Sequence, residues 1–280
     1  MSGEKENNVK CMRFNSQGPV VRKEKGGVLE RYTYISKSNL GRVPKFSAGV
    51  SILSKNFAST LSGSKQEFTR EKKACIIASG KMSVKWNNKK GSLSPNDCLY
   101  IPSYTEYEIA NLGDDELRCA WTISPSFDEK VTKEVKKENS KGEVRVIRTL
   151  EDVRPIVLAV KGMERSIYPI SETRRFHFAL FLRGPSTYAP LHTHFPQDFE
   201  EAFIVLDGKL KVSGINGESF NLGQFDCAYI PPFGGNMNEN RSSETVRYLW
   251  MGSPPVNVKE IPVEKKYSKH EKALAVDKQS

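Results

Sequence analysis

LSPNDCLYIPSYTEYEIANLGDDELRCAWTISP (residues 93–125) and LGQFDCAYIPPFGGNMNENRSSETVRYLWMGSP (residues 222–254) are one stretch written twice. They align without a gap at a separation of 129 residues, and 11 of the 33 pairs are identical. The identities include Asp97-Cys98 with Asp226-Cys227, Tyr100-Ile101-Pro102 with Tyr229-Ile230-Pro231, Asn111 with Asn240, Trp121 with Trp250, and Ser124-Pro125 with Ser253-Pro254. Upstream the separation shortens by one, so that ACIIASGKMSV (residues 74–84) lies over AFIVLDGKLKV (residues 202–212). A period near 130 residues is too long for a solenoid unit and has the size of a domain. The 280 residues hold two such units, so the chain reads as a duplicated domain.

Each copy consists of short β-rich runs broken by turn residues. In the second copy the runs are Phe176 to Leu182, Ala202 to Leu206, Lys209 to Ser213, Cys227 to Ile230 and Val246 to Trp250. Asp207-Gly208 and Asn216-Gly217 fall between runs, where such pairs favour hairpin turns. Many short strands at this spacing predict an all-β sandwich or barrel. Helical periodicity is weak, with residues 127–141 as the best stretch for a short linker helix. The expected organisation is a flexible N-terminus (1–9), a first barrel (10–125), a charged linker (126–144), a second barrel (145–255) and a charged tail (256–280).

Composition narrows the class. Hydrophobic residues make up 38% of the chain, enough for packed cores. The net charge of +10 raises the question of a nucleic-acid partner, but the lysines concentrate between Asp128 and Lys141 and after Lys259, mixed with acids such as Glu134 and Glu264. No compact basic cluster with interleaved aromatics appears, so no nucleic acid is expected. No run of about 18 apolar residues exists, so no membrane span is expected, and Met1 to Lys10 lacks the apolar centre of a signal peptide. Five cysteines without a CxxC pair (Cys11, Cys75, Cys98, Cys119, Cys227) fit a reduced, cytoplasmic setting. Cys98 and Cys227, matched in the repeat, read as small core residues.

The second copy also carries His192-Thr193-His194, then Glu201, then six residues to Gly208, and further on AYIPPFGGNMNEN, closed by Asn240. These two motifs resemble those of the cupin superfamily. The resemblance implies two tandem jelly-roll β-barrels, a bicupin, with a metal inside a barrel held by His192, His194 and a carboxylate. Two departures stand out. Six residues separate His194 from Glu201, more than the family pattern allows, so the carboxylate is either Glu201, spaced correctly from Gly208, or Asp198, spaced correctly from His194. The family's third histidine is replaced by Asn236, which, with Asn238 two residues on, is expected to line the pocket as a weak ligand or to hold water or substrate.

The chemistry is coherent. Residues two apart on a strand face one side, so His192 and His194 present two imidazoles to one interior. With a carboxylate they suit one divalent transition ion per chain (iron, manganese, zinc or nickel), leaving positions open for a small-molecule ligand. His177, in the strand before the motif, is either a core or pocket residue or a partly exposed one. The first copy has no histidine. Lys73 stands in the place of Glu201 and Tyr107 in that of Asn236, so this barrel is either structural or binds an organic ligand without metal. The resemblance implies isomerase- or hydrolase-type chemistry on a small polar or carbonyl-bearing metabolite, as in uronate isomerases and ureidoglycine aminohydrolases. A non-haem iron dioxygenase and a non-catalytic metabolite- or sugar-binding protein are the alternatives. The expected assembly is a monomer or homodimer.

Overall fold

The structure, a computed structural model, describes residues 7–16, 18–24, 26–60, 72–103, 105–126, 143–158, 165–172, 176–254 and 259–262. Among them the strands run β1 (Lys10–Met12), β2 (Val20–Glu24), β3 (Gly27–Ile35), β4 (Ser47–Leu53), β5 (Ala58–Thr60), β6 (Lys72–Ser79), β7 (Met82–Trp86), β8 (Lys89–Leu93), β9 (Cys98–Ile101), β10 (Glu108–Asn111) and β11 (Leu117–Ser124). The second set is β12 (Arg145–Ile147), β13 (Ile156–Leu158), β14 (Arg165–Glu172), β15 (His177–Arg183), β16 (Thr187–Phe195), β17 (Glu200–Asp207), β18 (Leu210–Gly214), β19 (Ser219–Leu222), β20 (Cys227–Ile230), β21 (Gly235–Asn240), β22 (Val246–Ser253) and β23 (Lys259–Pro262). The helices are one turn each, Lys37–Leu40 and Thr149–Asp152, with a 3₁₀ turn at Phe14–Ser16. The predicted linker helix over 127–141 lies outside the described residues.

The chain is all-β and forms two jelly-roll barrels of matching design. One seven-stranded sheet has the order β12-β9-β6-β11-β4-β3-β2 and faces a four-stranded sheet β5-β10-β7-β8. The other has the order β1-β20-β17-β22-β15-β14-β13 and faces β19-β18-β21-β16-β23. The repeat superposes strand by strand. Trp121 in β11 lies between Gly49 and Cys75, as Trp250 in β22 lies between Ala179 and Phe203. Asn111 donates its amide to the carbonyls of Leu53, Ser54 and Asp115, and Asn240 does the same to Arg183, Gly184 and Glu244. Each side-chain amide ties three neighbouring backbone carbonyls together, which explains asparagine at both positions. Gly208 and Gly217, at the expected hairpins, have φ of +83° and +91°, where a side chain is strained.

Alternation on the large sheets makes two cores. Leu29, Leu53, Ile77, Leu99 and Leu117 fill the first barrel; Phe181, Phe203, Val212, Ile230 and Tyr248 fill the second. The opposite faces pack against each other: Tyr34, Phe46 and Ile76 meet Phe178, Ile204 and Phe225 in one continuous inter-barrel core. The Tyr34 hydroxyl crosses that core to donate to the Phe225 carbonyl at 2.7 Å. Each fully buried side chain of this size contributes about 1.5–3 kcal/mol, so the interface is as much core as the barrel interiors.

The pairing corrects three expected boundaries. Val9, placed in the flexible N-terminus, is 3% exposed within the core of the second barrel. β1, placed in the first barrel, hydrogen-bonds to β20 of the second, and β12, placed in the second, hydrogen-bonds to β9 of the first. The exchange is reciprocal, and an arginine follows each exchanged strand. Arg13 pairs with Asp226, and Arg148 with Asp97, at matched repeat positions. Third, β23, placed in the charged tail, joins the edge of β16. Edge pairing is carried by backbone groups that any residue supplies, so charge and weak apolar periodicity did not forbid it.

Candidate metal centre

β16 carries His192 and His194 on its inward face, 5% and 6% exposed. β17, on the opposing sheet, carries Glu201 inward and turns its neighbour Glu200 to the inter-barrel side, where Arg42 and the Lys45 backbone amide hold it. One donor atom from each of His192, His194 and Glu201 lies within 4.8 Å of the others. The His194 Nε2 to Glu201 Oε1 distance is 3.5 Å.

The surroundings orient these groups. His192 Nδ1 lies 2.8 Å from the Pro190 carbonyl, which can only accept, so the proton sits on Nδ1 and the Nε2 lone pair is left for another partner. The His194 ring packs on Phe199 with centroids 4.8 Å apart. Phe199 in turn fills the space above Gly252, where an added Cβ would meet its ring at 2.2 Å. Glu201 is held from both sides: Trp250 Nε1 donates to Oε2 at 2.7 Å, and Asn236 Nδ2 donates to Oε1.

Behind Asn236 runs a line of buried donors. The Arg183 Nε and Nη2 atoms each donate to the Tyr248 hydroxyl at 3.3 Å. That hydroxyl donates to Asn238 Oδ1 at 3.5 Å, and Asn238 Nδ2 donates to Asn236 Oδ1 at 3.2 Å. A guanidinium can only donate, so it sets the direction of the whole line. The outcome corrects the expectation for Asn236: its oxygen is taken by Asn238, and the group it offers to the site is an N–H on Glu201. Asn238 lines the same wall, as expected from strand alternation.

Asp198 is not part of the centre. Its side chain is 59% exposed and pairs with Lys45 Nζ at 2.5 Å, because it lies in the turn before β17 and points out of the barrel. Glu201, not Asp198, is the carboxylate that lies beside the two histidines. His177, opposite Gly252 at the start of β15, lies against the Trp250 ring with centroids 5.7 Å apart and is not one of the three convergent donors. Trp250, Tyr248, Phe199 and Arg183 escaped sequence reading. The repeat flagged Trp250, but only as the match of Trp121, and Arg183 ends an apolar strand where a cation reads as solvated.

A family model for the cupin domain matches residues 180–252, the span from β15 to β22. The match identifies residues 180–252 as a cupin domain. No curated protein matches the chain in sequence. Solved structures match its fold: the putative glyoxylate-induced protein from Pseudomonas aeruginosa at 16% identity and a TM-score of 0.68, covering 91% of this chain and 89% of that one. Ylba from E. coli matches at 14% identity and 0.66, covering 91% and 94%. A variant of Bacillus subtilis oxalate decarboxylase matches at 15% and 0.66, covering 90% and 79%. At these identities the likeness is one of fold.

The donor set fits a metal. Two imidazoles and a carboxylate are the ligands of borderline divalent ions, and a shared ion about 2.1 Å from each would hold its donors roughly 3–3.5 Å apart. The inward lone pair of His192, enforced by Pro190, is the feature a ligand histidine needs.

Proposed function

We propose that the C-terminal cupin barrel holds one divalent transition ion on His192, His194 and Glu201 and acts on a small polar or carbonyl-bearing metabolite. The observation that carries this reading is the convergence of three buried donors whose second contacts are already arranged: Pro190 behind His192, and Trp250 and Asn236 on Glu201. The bound ion would supply Lewis acidity toward a carbonyl or a bound water. The chain's own groups bind and orient. Glu201 is kept as a hydrogen-bond acceptor by two N–H donors, and Asn236 bars one side of the centre with an N–H. His177 and Trp250 form an aromatic wall beside the reacting space. The names of the fold relatives, an oxalate decarboxylase and a glyoxylate-induced protein, support a small carbonyl or carboxylate compound as substrate class.

Elemental analysis tests the proposal. Protein produced with iron, manganese, nickel and zinc supplied should carry about one ion per chain, and His192→Ala or His194→Ala should lose it. Iron with oxygen-dependent turnover would move the chemistry to an oxygenase. Absence of all four metals from folded protein would reject the metal centre. It would favour the second reading, a non-catalytic binding barrel, which the N–H of Asn236 in place of the third histidine supports.

A further inference from the structure

The register of the two barrels places Lys73 where Glu201 stands. Lys73 pairs with Ile101 and Ile123, as Glu201 pairs with Ile230 and Gly252. This exchange of an acid for a base has a consequence one strand away. In the second barrel the indole N–H of Trp250 donates to Glu201. In the first, Trp121 is 7% exposed and its Nε1 has no acceptor among the described residues. A buried indole N–H without an acceptor has lost its hydration uncompensated, and most buried donors are satisfied.

Trp121 lines a small pocket of about 80 Å³ inside the first barrel. Arg31 and Lys73 line it too, and no acidic residue does among the described residues. The Arg31 guanidinium lies over the Trp121 ring at 5.7 Å, and the Lys73 ammonium over the Tyr107 ring at 5.8 Å. The remaining wall is mostly apolar, with Leu53 and Leu99 among its residues. Two cations and an orphaned N–H thus meet an apolar chamber in the position where the other barrel keeps its carboxylate.

We infer that the N-terminal barrel is a metal-free binding site for a small organic carboxylate with an apolar body. The ligand's carboxylate takes the place of the Glu201 carboxylate: it accepts the Trp121 N–H and is neutralised by Lys73 and Arg31, while its apolar part fills the chamber. A free phosphate would satisfy the cations but leave the apolar wall unused, which selects the carboxylate. This inference is independent of the metal reading for the second barrel.

The test is titration of the full chain, stripped of metal with a chelator and labelled with ¹⁵N at the tryptophan indoles. The probes are benzoate and 4-methylpentanoate, their neutral amides, and inorganic phosphate. One indole resonance, identified by its loss in Trp121→Phe, should shift downfield saturably with a carboxylate at a Kd on the order of 1 mM or tighter. The Trp250 resonance should stay in place. Lys73→Gln should weaken binding about tenfold, the scale of one charged hydrogen bond. Lys73→Glu should abolish binding and shift the Trp121 resonance without ligand, because it rebuilds the pair seen in the second barrel. If a Lys73 variant fails to fold, Arg31→Gln is read in its place with the same expected loss. The inference is overturned if neither carboxylate moves the Trp121 resonance up to about 20 mM. Equal binding of the amides, binding of phosphate alone, or unchanged affinity in Lys73→Gln and Arg31→Gln would overturn it as well.

Discussion

Glu201 owes its position to two donors, and only one was recoverable from spacing. The distance to Gly208 and the motif pointed to Glu201, and Asn236 stood at a known place. The Trp250 contact depends on how an indole turns inside a barrel, which no spacing encodes. Trp250→Phe keeps the ring and removes the N–H, so metal affinity should fall about tenfold with little change in folding; competition with a fluorescent chelator measures it. Gly252→Ala acts at one remove: the new Cβ has to displace Phe199, which packs on His194, so a similar weakening is expected along with a lower melting temperature. The cysteines and tyrosines give a pH prediction. Burial pushes the Cys98 and Cys227 thiols and the Tyr34 and Tyr229 phenols well above their ordinary values. In the unfolded chain these groups lose protons first as pH rises, so the unfolded state binds fewer protons and the folded state loses stability. The protein should be insensitive to these groups below about pH 8 and melt at progressively lower temperature from about pH 8.5 upward. Cys227→Ala should flatten that slope in a melting series between about pH 7 and pH 10.5, and a slope identical to the parent's would contradict the attribution.

At the scale of elements, the strands inside each barrel were legible because apolar residues alternate along them and glycines mark their hairpins. β1, β12 and β23 were not, since each lies at an edge where backbone hydrogen bonds carry the pairing. β1 is also anchored by Val9, whose amide donates to Glu218 at 2.7 Å. Deleting residues 1–13 removes an edge strand of the second barrel and should therefore lower the stability of the whole folding unit. Loss of the Val9 burial costs about 2–3 kcal/mol, with little added for the half-exposed Arg13 in its ion pair. The melting temperature should drop by roughly 5–10 °C. A deletion that leaves it unchanged would mean that β1 adds nothing to the sheet. β23 lies along the strand of the two histidines, with Ile261 opposite Thr193. Ending the chain after residue 255 should lower metal occupancy by freeing the β16 edge, whereas removing only residues 271–280 should not; side-by-side metal assays of the two truncations separate these outcomes.

For the whole molecule, the continuous core between the barrels and the reciprocal strands make two domains in sequence behave as one folding unit. Calorimetry of the metal-free chain should show one transition, and a second barrel expressed alone from residue 145 should be insoluble or unfolded, since it lacks β1 and exposes its inter-barrel face. Duplication itself was plain in the repeated Asp-Cys and Tyr-Ile-Pro runs. The exchange was not, because KCM and RVI are too short to carry a signal. With the inter-barrel faces already spent within one chain, a monomer or homodimer is the expected solution state, and a hexamer by light scattering would contradict it. The exchange also gives synthesis a direction. The Arg148 to Asp97 contact spans 51 residues and can close once the first barrel has left the ribosome. The Phe14 amide to Asp226 contact spans 212, so β1 must wait for β20 to arrive. Until then β1 is an unpaired edge near the beginning of the nascent chain, and a bulky fusion partner placed before it would handicap the barrel built last, the one that carries His192 and His194.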